Sequence, residues 1–421
     1  MSQVSSRPQY PWSQNALRTT ESPISWLMAK AVADPDILSL AAGFVDTDTL
    51  PNDLVKTAFE KVFADSKNAQ AILQYGVTPG SLRLRTELAK RLECQGLSNV
   101  DPDCIVISNG GQQSLYTVTN VMVDPGDIVL VEDPTYFVYM DVLRSLGARV
   151  VGVRTDSEGM MPDALAERFA ELRAEGQRHR VKILYVMSYF TNPKGCNLSQ
   201  ERRRALYDVY QREMADGRFL FVEDASYRDL CLEGPDEPFI KALDPLNEHI
   251  FVSGTFSKAF APGVRLGWSY MPRPLHEAVC RQKGNQDFGS SNMNQAIVAE
   301  LLASGAFEIA AARFRDRYRA KRDVMLAALT EFWPSTAHIL RPMGGLYVWT
   351  ELEGINTDPG SDFFNQVLAQ KVLYVPGRYC FTDETQGPRP KNGMRLCYGV
   401  IRPEPMREGI RRMGNVIASM S

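Results

Sequence analysis

Between about residues 50 and 300, short apolar runs rich in β-branched residues alternate with amphipathic segments, and this alternation constrains the fold most strongly. The apolar runs predict strands over 104–108, 128–132, 149–153, 182–187, 219–222 and 250–253. The segments between them predict helices, among them 112–122, 137–146, 161–175 and 199–216. Such alternation is typical of an α/β fold in which helices cover both faces of a largely parallel sheet.

The pattern changes after about residue 300. Two long helix-like stretches come first, short strands separated by turn residues follow, and an amphipathic helix closes the chain. The predicted helices are 294–303, 306–332 and 403–418, and the predicted strands are 338–340, 346–351, 372–375 and 394–399. This mixture indicates a smaller α+β unit. The segment ETQGPRPKNG at 384–393 is the best candidate for a mobile surface loop.

Composition narrows the classes of function. The 421 residues contain 47 Lys and Arg against 50 Asp and Glu, so we expect neither nucleic acid nor a membrane as a partner. The four His form no HExxH motif and the seven Cys form no CxxC motif, so we expect no metal site. The polar N-terminus lacks the apolar core of a signal peptide, and no run approaches the ~18 apolar residues of a membrane helix, which favours a cytoplasmic location.

Ligands of open α/β sheets bind where the parallel strands end, so the residues that follow each predicted strand are candidate site residues. Gly111 and Gln112 begin a helix directly after the first strand, and backbone N–H groups at such a turn suit an anion. Tyr136 follows the second strand, and Asn192 follows a later one, where its amide can donate to an oxygen. A plain turn or a packed tyrosine is the alternative explanation for each.

Charged residues follow the last two of these strands. A carboxylate at a buried strand end is costly unless it is paired, so Asp224 is expected to meet a cation or a protonated ring nitrogen. A helix N-cap is the alternative role for Asp224. The last strand is followed within eleven residues by two hydroxyls, a lysine and an arginine: Thr255, Ser257, Lys258 and Arg265. A solvated loop explains this cluster poorly, because the apolar run 266–268 resumes at once.

Taken in order, these motifs resemble the fold-type-I aminotransferases of class I and II, which use pyridoxal phosphate (PLP). The resemblance spans about residues 22–413 and rests on Tyr75 in QYGVTPG, Gly111 in NGGQQSL, Tyr136 in EDPTYF, Asn192 in TNPKG, Asp224 and Tyr227 in EDASY, Lys258 and Arg265 in SGTFSKAFAPGVRLGW, and Arg395 in GMRLCYG. The segment SPISWLMAK is similar to the substrate-lid helix of the 2-aminoadipate, kynurenine and aromatic amino-acid aminotransferases.

The resemblance implies a fold with two domains. A mainly parallel seven-stranded sheet between helices would form the large, PLP-binding domain over residues 50–303. A small α+β domain would be assembled from both chain ends, from residues 1–49, which carry the lid helix, and from residues 304–421.

The resemblance also implies how the cofactor is held. Lys258 would form the Schiff base and then carry a proton between the substrate α-carbon and the imine carbon of the cofactor, as suits an amine kept from water beside a cation. Asp224 would pair with the pyridinium nitrogen. Asn192 and Tyr227 would hydrogen-bond the phenolic oxygen, and Tyr136 would stack on the ring. The implied phosphate ligands are Gly111, Gln112, Thr255, Ser257, Arg265 and, from the partner subunit, Tyr75.

For the substrates, the resemblance implies an L-amino acid and a 2-oxo acid. Arg395 would grip the α-carboxylate through a bidentate fork beside Asn192, and Gly43 would let the backbone approach the substrate closely. Because Tyr75 would reach across to the partner's phosphate, the protein would be a homodimer with shared active sites. The implied reaction is a ping-pong amino transfer through aldimine, quinonoid and ketimine.

Two rival functions use the same residues. A PLP-dependent lyase, cyclase or oxidase starts from the same α-carbanion, whose fate the motifs do not dictate. A non-catalytic PLP sensor is the other rival, since related regulators fuse this domain to a DNA-binding head. About 20 residues precede the lid helix here, which we expect to be too few for a winged helix.

Two departures from the family pattern, Ser25 and Val45, lie in segments expected near the substrate. Ser25 stands where some members of the subgroup carry an Arg that binds a side-chain carboxylate, which weakens the case for a dicarboxylic substrate. Trp26, Phe44 and Tyr189 suit an aromatic or apolar side chain instead, unless they only pack. Val45 stands where relatives often have Pro, which can alter how that loop lies over the site.

Overall fold

An eight-stranded sheet forms the centre of the computed structural model, which describes residues 10–420 except for the side chain of residue 68. The α-helices in that range are α1 (Gln14–Arg18), α2 (Pro23–Ala33), α3 (Asn52–Phe63), α4 (Ser66–Leu73), α5 (Leu82–Cys94), α6 (Gly111–Met122), α7 (Phe137–Ser145), α8 (Pro162–Ala174), α9 (Gln200–Met214), α10 (Arg273–Asp287), α11 (Asn292–Ala303), α12 (Ala306–Phe332), α13 (Asp362–Ala369) and α14 (Pro403–Met420). The strands are β1 (Leu38–Ser39), β2 (Ile105–Ser108), β3 (Ile128–Asp133), β4 (Arg149–Asp156), β5 (Gly159–Met160), β6 (Val181–Met187), β7 (Leu220–Asp224), β8 (Ile250–Thr255), β9 (Gly267–Tyr270), β10 (Ala337–Leu340), β11 (Tyr347–Leu352), β12 (Val372–Leu373), β13 (Val375–Pro376) and β14 (Gly393–Cys397).

The large sheet has the strand order β2-β9-β8-β7-β6-β3-β4-β5. Strands β8, β7, β6, β3 and β4 are parallel to one another, whereas β9 is antiparallel to both of its neighbours and β5 is antiparallel to β4. The predicted α/β fold with a mainly parallel sheet is confirmed. The short β5 adds an eighth strand to the seven that were expected.

Both faces of this sheet are buried, which explains the continuous apolar runs in its strands. Along β6, Ile183 and Tyr185 join the hydrophobic core on one face, whereas Leu184 and Val186 join a second core on the other. Side chains alternate between the faces of a strand, so burial of both faces requires apolar residues at consecutive positions.

Two smaller sheets lie outside the large one. Strands β10-β11-β14-β13 form an antiparallel sheet, and β1 pairs with β12 in a separate two-stranded parallel sheet. The single strand predicted over 372–375 is wrong, because β12 pairs with β1 while β13 pairs with β14. The pairing of β1 with β12 supports a small domain built from both chain ends, and the boundaries at residues 49 and 303 stay a prediction.

The start of the predicted mobile loop over 384–393 is anchored to the large sheet. The carbonyl of Glu384 accepts the N–H of Gly152 at 3.0 Å, and its carboxylate pairs with Arg149. The side chain of Gln386 accepts the N–H of Arg154. The expectation of a free loop is therefore wrong for residues 384–386, which extend the edge of the sheet beside β4.

Within residues 10–420, no single α-helix is long and apolar enough to cross a membrane. Helices α11 and α12 meet the length and composition of a span only as a pair, with a bend of 83° between them. Over the same residues, no group of three or more His, Cys, Asp or Glu side chains is placed to hold a metal ion.

A buried ion pair joins the N-terminal segment to α12. The carboxylate of Asp46 and the amine of Lys321 are almost completely buried, with Nζ 2.7 Å from Oδ1. Lys321 also donates to the carbonyl of Gly399, and the Asp46 carboxylate accepts the hydroxyl of Thr49 at 2.6 Å. The pair thus ties the segment around residue 46, α12 and the chain after β14 to one another.

Substitution of Asp46 by Asn should destabilise the chain, because it leaves the buried Lys321 without its counter-charge. We expect the free energy of unfolding in urea to fall by about 3–5 kcal/mol. The double variant Asp46→Asn/Lys321→Met removes both charges and should recover most of this loss. Equal stability of the single and double variants would show that the two charges do not depend on each other.

Candidate active site

A cavity of about 460 Å³ lies at the carboxyl ends of the parallel strands β3, β6, β7 and β8. Residues 43–45 and Val400 line it from the side of the chain ends. Of the sequence-predicted site residues, the cavity brings together Gly43, Gly111, Gln112, Tyr136, Asn192, Asp224, Tyr227, Thr255, Ser257, Lys258 and Arg265. Tyr75 and Arg395 do not line it.

Lys258 supplies the amine of this cavity. It follows β8 after two residues, and its Nζ donates to the carbonyl of Gly43 at 3.2 Å. Burial lowers the pKa of the Lys258 amine to about 8, and the guanidinium groups of Arg395 and Arg265 act in the same direction. A lysine with this pKa is unprotonated far more often at neutral pH than an exposed lysine, which makes it a nucleophile.

Asp224 ends β7 and is 5% exposed. Its Oδ1 accepts the backbone N–H of Ser226 at 2.9 Å, and its Oδ2 accepts the hydroxyl of Tyr185 at 2.7 Å. Burial raises the pKa of Asp224, whereas these hydrogen bonds and the Lys258 amine oppose the rise. The carboxylate therefore suits a cationic partner in the cavity.

A cradle for an anion is formed where α6 begins. Gly110 has a φ of 83°, in the left-handed region that favours glycine, and α6 starts at the next residue. The free N–H groups of a helix N-terminus and its dipole attract negative charge. The Arg265 guanidinium lies beside this turn, with Nη2 3.5 Å from the carbonyl oxygen of Asn109.

Two hydroxyls complete the cradle. The Thr255 hydroxyl donates to the Ser257 oxygen at 3.0 Å and accepts the N–H of Ser257 at 3.1 Å. Both residues line the same cavity as Gly111 and Arg265. Backbone N–H groups, hydroxyls and a guanidinium are the donors that bind a phosphate.

Arg395 lies behind Asn192 and is 2% exposed. Its Nη1 donates to the Asn192 side-chain oxygen at 2.9 Å, and its Nη2 donates to the carbonyl of Ala41 at 2.8 Å. The guanidinium carbon lies 4.2 Å from the centre of the Tyr347 ring. Among the described residues its Nε has no hydrogen-bond partner, so this buried cation retains a free donor.

Tyr227 and Tyr136 bring aromatic rings to the cavity. The hydroxyls of Tyr227 and Tyr347 are 3.0 Å apart, and burial raises the pKa of Tyr227 well above its ordinary value, so it stays a neutral donor. The Tyr136 hydroxyl donates to the side-chain oxygen of Gln112 at 3.4 Å. A Cβ at Gly43 would lie 2.5 Å from the Tyr347 hydroxyl, so a larger residue here would force the buried Tyr347 ring to shift.

Tyr75 lies outside the cavity of its own chain. Its side chain is 83% exposed and its ring packs edge-on against Phe288, which is also exposed. The exposed Leu73 lines the same surface depression as Tyr75 and Phe288, and Val77, two residues further along the chain, is exposed as well.

Sequence reasoning missed several residues at this site. Ser226 and Met187 line the cavity, while Tyr185 and Tyr347 contact the predicted residues Asp224 and Tyr227. Ser226 lies inside the EDASY motif, which was a usable signal. The two tyrosines lie within strands, where the sequence alone does not tell which neighbour a hydroxyl meets.

Of the three residues considered for the substrate side chain, only Phe44 lines the cavity. Trp26 stacks on Phe364 with ring centres 6.1 Å apart. The Tyr189 ring lies between the guanidinium groups of Arg203 and Arg228, and its hydroxyl donates to the carbonyl of Glu237. The structure therefore assigns packing roles to Trp26 and Tyr189.

A second cavity of about 600 Å³ lies between α5 and the start of α12. Its partly buried Arg91 is already paired with Asp229 and Glu308, and its buried Arg228 is paired with Asp236. It lacks the convergence of a lysine of lowered pKa, a buried carboxylate and an anion cradle that marks the cavity at the strand ends.

The residues at the strand ends fit PLP. The cofactor carries a phosphate, a ring nitrogen that can be protonated and an aldehyde, and the cavity offers an anion cradle, the buried carboxylate of Asp224 and the amine of Lys258. The Asp224 carboxylate is the strongest indication of PLP, because a buried carboxylate is costly to ionise unless a cation such as a protonated ring nitrogen lies beside it.

Comparisons with known proteins agree with this fit. Residues 35–413 match the family described as aminotransferase class I and II. The chain is 33% identical to the aromatic-amino-acid aminotransferase 1 of Thermococcus litoralis, over 96% of this chain and 94% of that protein. It is similar to the crystal structure of the Pyrococcus horikoshii kynurenine aminotransferase in complex with PMP, with a TM-score of 0.89 and 31% identity over 97% of each chain.

A third similarity is to the α-aminoadipate aminotransferase LysN of Thermus thermophilus, with a TM-score of 0.83 and 29% identity over 97% of each chain. That structure contains N-(5'-phosphopyridoxyl)-L-leucine. Two of these structures thus hold a phosphorylated pyridoxyl group.

The lowered pKa of Lys258 predicts how its reactivity depends on pH. In the cofactor-free chain, competitive labelling with trace acetic anhydride, read peptide by peptide in a mass spectrometer, should give Lys258 a midpoint near pH 8. Lys371 is the control, because the Asp34 carboxylate raises its pKa above the ordinary value. Coinciding midpoints for the two lysines would contradict the effect of burial on Lys258.

Proposed function

The chain belongs to the class I and II aminotransferases, and from this we propose that it moves an amino group from an L-amino acid to a 2-oxo acid in two half-reactions with ping-pong kinetics. It is a PLP-dependent transaminase of fold type I, in the subgroup of the 2-aminoadipate, kynurenine and aromatic amino-acid aminotransferases. Its cytoplasmic location stays a prediction.

The observation that carries this proposal is the convergence of three chemically different groups on one cavity. The amine of Lys258, the buried carboxylate of Asp224 and the anion cradle at Gly111 come from the ends of three different strands. Each group matches a different part of PLP. A turn or a helix cap could explain one of these groups, but not why all three line the same cavity.

We propose that the phosphate is bound at the start of α6, by the N–H groups of Gly111 and Gln112, the hydroxyls of Thr255 and Ser257, and the guanidinium of Arg265. Asp224 would face the ring nitrogen, and Tyr136 would lie against the ring. Asn192 and Tyr227 would donate to the phenolic oxygen. All of these side chains and backbone groups line the same cavity, which supports the assignment.

When bound, the cofactor supplies an aldehyde that forms imines with amines and a cationic ring that withdraws electrons from the substrate α-carbon. Lys258 would hold the cofactor through its free amine, which suits an aldehyde. When that amine is free, it would act as a base at the substrate α-carbon and as an acid at the carbon that the aldehyde supplies, and so move a proton between the two. The lowered pKa of the Lys258 amine suits both directions of this transfer near neutral pH.

The substrate α-carboxylate would be bound by Arg395 beside Asn192, with Gly43 allowing close approach of the backbone. The free Nε donor of the buried Arg395 supports this role. Because Asn192 accepts from Arg395, the same side chain would link the carboxylate site to the cofactor.

The lining favours an amino acid with a large apolar or aromatic side chain. Phe44, Val45, Leu50 and Val400 line the cavity from the side of the chain ends. Its lining cations within the described residues are Lys258 and Arg265, and both have cofactor roles in this proposal. Among the described lining residues, therefore, no further cation is left to bind the side-chain carboxylate of a dicarboxylic substrate.

We also propose a homodimer whose two active sites each use Tyr75 of the partner subunit. The exposed side chains of Leu73, Val77 and Phe288 near Tyr75 are costly to leave in water and support a contact between two copies of the chain. Tyr75 does not line the cavity of its own chain, which leaves its hydroxyl available to a partner's site.

The variant Lys258→Ala should lose turnover by about 10⁴-fold or more and lose the absorbance of the lysine-bound cofactor, because both the nucleophile and the proton carrier are gone. Lys194→Ala is the matched control. The Lys194 amine donates to the carbonyl of Asp156 and does not line the cavity, so this variant should keep turnover close to that of the unsubstituted chain.

Mixing Lys258→Ala chains with Tyr75→Ala chains tests the shared site in the same assay. Each variant alone is expected to be impaired, but one of the two sites in a hybrid dimer combines an intact Lys258 with an intact Tyr75 of the partner subunit. Random association should therefore restore about a quarter of the activity per subunit. No gain in activity on mixing would place Tyr75 outside the partner's site, while an active Lys258→Ala chain would contradict the proposed function itself.

A further inference from the structure

Tyr185 makes a buried hydrogen bond to Asp224 and has no role in the reaction as proposed above. It lies on β6, the strand next to β7, and its hydroxyl is 2.7 Å from Oδ2 of Asp224. Met187 pairs with Asp224, and Tyr185 lies two residues earlier on β6, so it projects from the same face of the sheet as a diagonal neighbour. Tyr185 is fully buried and Asp224 nearly so.

The pKa values of Tyr185 and Asp224 determine which group donates this hydrogen bond. Burial, with the nearby Asp224 carboxylate, raises the pKa of Tyr185 well above its ordinary value, so the phenol keeps its proton and donates. Asp224 accepts it on Oδ2, while Oδ1 accepts the N–H of Ser226. These two donors hold the carboxylate plane from the side of the protein and leave lone pairs of both oxygens for a partner in the cavity.

The donor matters because the carboxylate is buried. Burial alone raises the pKa of Asp224 and favours its neutral form, and a neutral carboxyl offers no charge to a protonated ring nitrogen. The hydrogen bond from Tyr185 opposes this rise. Hydrogen bonds to charged groups are stronger than those between neutral groups, so loss of this one hydroxyl has a large effect on the charge state of Asp224.

We propose that Tyr185 is a positioning residue that keeps Asp224 ionised and aimed at the ring nitrogen of PLP. The inference rests on the proposed function, since it gives Asp224 the task of pairing with that nitrogen. Tyr185 acts through Asp224 and has no contact with the substrate in this proposal.

Tyr139 provides a matched control beside Tyr185. The ring centres of the two tyrosines are 4.5 Å apart, and both side chains are fully buried. The Tyr139 hydroxyl, however, forms its hydrogen bond with the Thr119 hydroxyl, 2.9 Å away, whereas the donors to Asp224 are Tyr185 and Ser226. Tyr139→Phe therefore removes a buried hydroxyl from the same cluster without removing a hydrogen bond from the carboxylate.

The test compares Tyr185→Phe and Tyr139→Phe with the unsubstituted full-length chain, through the dissociation constant of PLP measured by absorbance over a range of pH. Near pH 7 we expect Tyr185→Phe to weaken PLP binding by about tenfold or more, and Tyr139→Phe by no more than about twofold. Loss of the hydroxyl raises the pKa of Asp224, so the ratio of the Tyr185→Phe constant to that of the unsubstituted chain should shrink as the pH rises.

A purely structural role for the hydroxyl predicts a different result. It gives similar losses for the two variants and a ratio that does not change with pH, and either finding overturns the inference. Unchanged PLP binding in Tyr185→Phe overturns it as well, while leaving the proposed function intact. If the unsubstituted chain itself fails to bind PLP, the proposed function fails and the inference fails with it.

Discussion

The burial of the Asp224 carboxylate is the constraint on which the arrangement of the site depends. It lies at the end of β7, within the parallel set of strands, where solvent cannot stabilise its charge. The protein supplies donors from Tyr185 on β6 and from the Ser226 backbone, and the amine of Lys258 after β8 adds positive charge. The neighbouring strands thus prepare one negative charge that faces the cavity, which is the environment that a cationic aromatic ring requires.

The site also depends on contact between segments that are far apart in the sequence. The Lys258 amine donates to the carbonyl of Gly43, and the next residues along, Phe44 and Val45, form an apolar wall of the cavity with Val400. The buried pair of Asp46 and Lys321 holds this wall against α12 and against the carbonyl of Gly399. The residues proposed to bind the cofactor and those proposed to meet the substrate side chain therefore come from different parts of the chain, and a few buried polar contacts fix their relative position.

The sequence predicted the parallel sheet and most of the cavity lining, because consecutive apolar positions mark doubly buried strands and functional groups follow the strand ends. It did not predict which side chains hydrogen-bond or pack against one another inside the core. The bond from Tyr185 to Asp224 depends on which residue of β6 lies beside β7, which is a matter of register. Trp26 and Tyr189 were candidates for the substrate because they are aromatic, but each packs in another place. The split of 372–375 into β12 and β13 likewise arises from pairing with two distant strands.

The proposed transamination requires that the amino group of the substrate stays on the cofactor while the carbon skeleton leaves as a 2-oxo acid. A single-turnover experiment tests this directly, with PLP-loaded protein, one L-amino acid that supports turnover, and no 2-oxo acid. Transamination predicts one equivalent of the matching 2-oxo acid per subunit, no ammonia, and then no further reaction until an acceptor is added. Continued release of ammonia, or a product other than the matching 2-oxo acid, would contradict the account and identify a lyase, cyclase or oxidase instead.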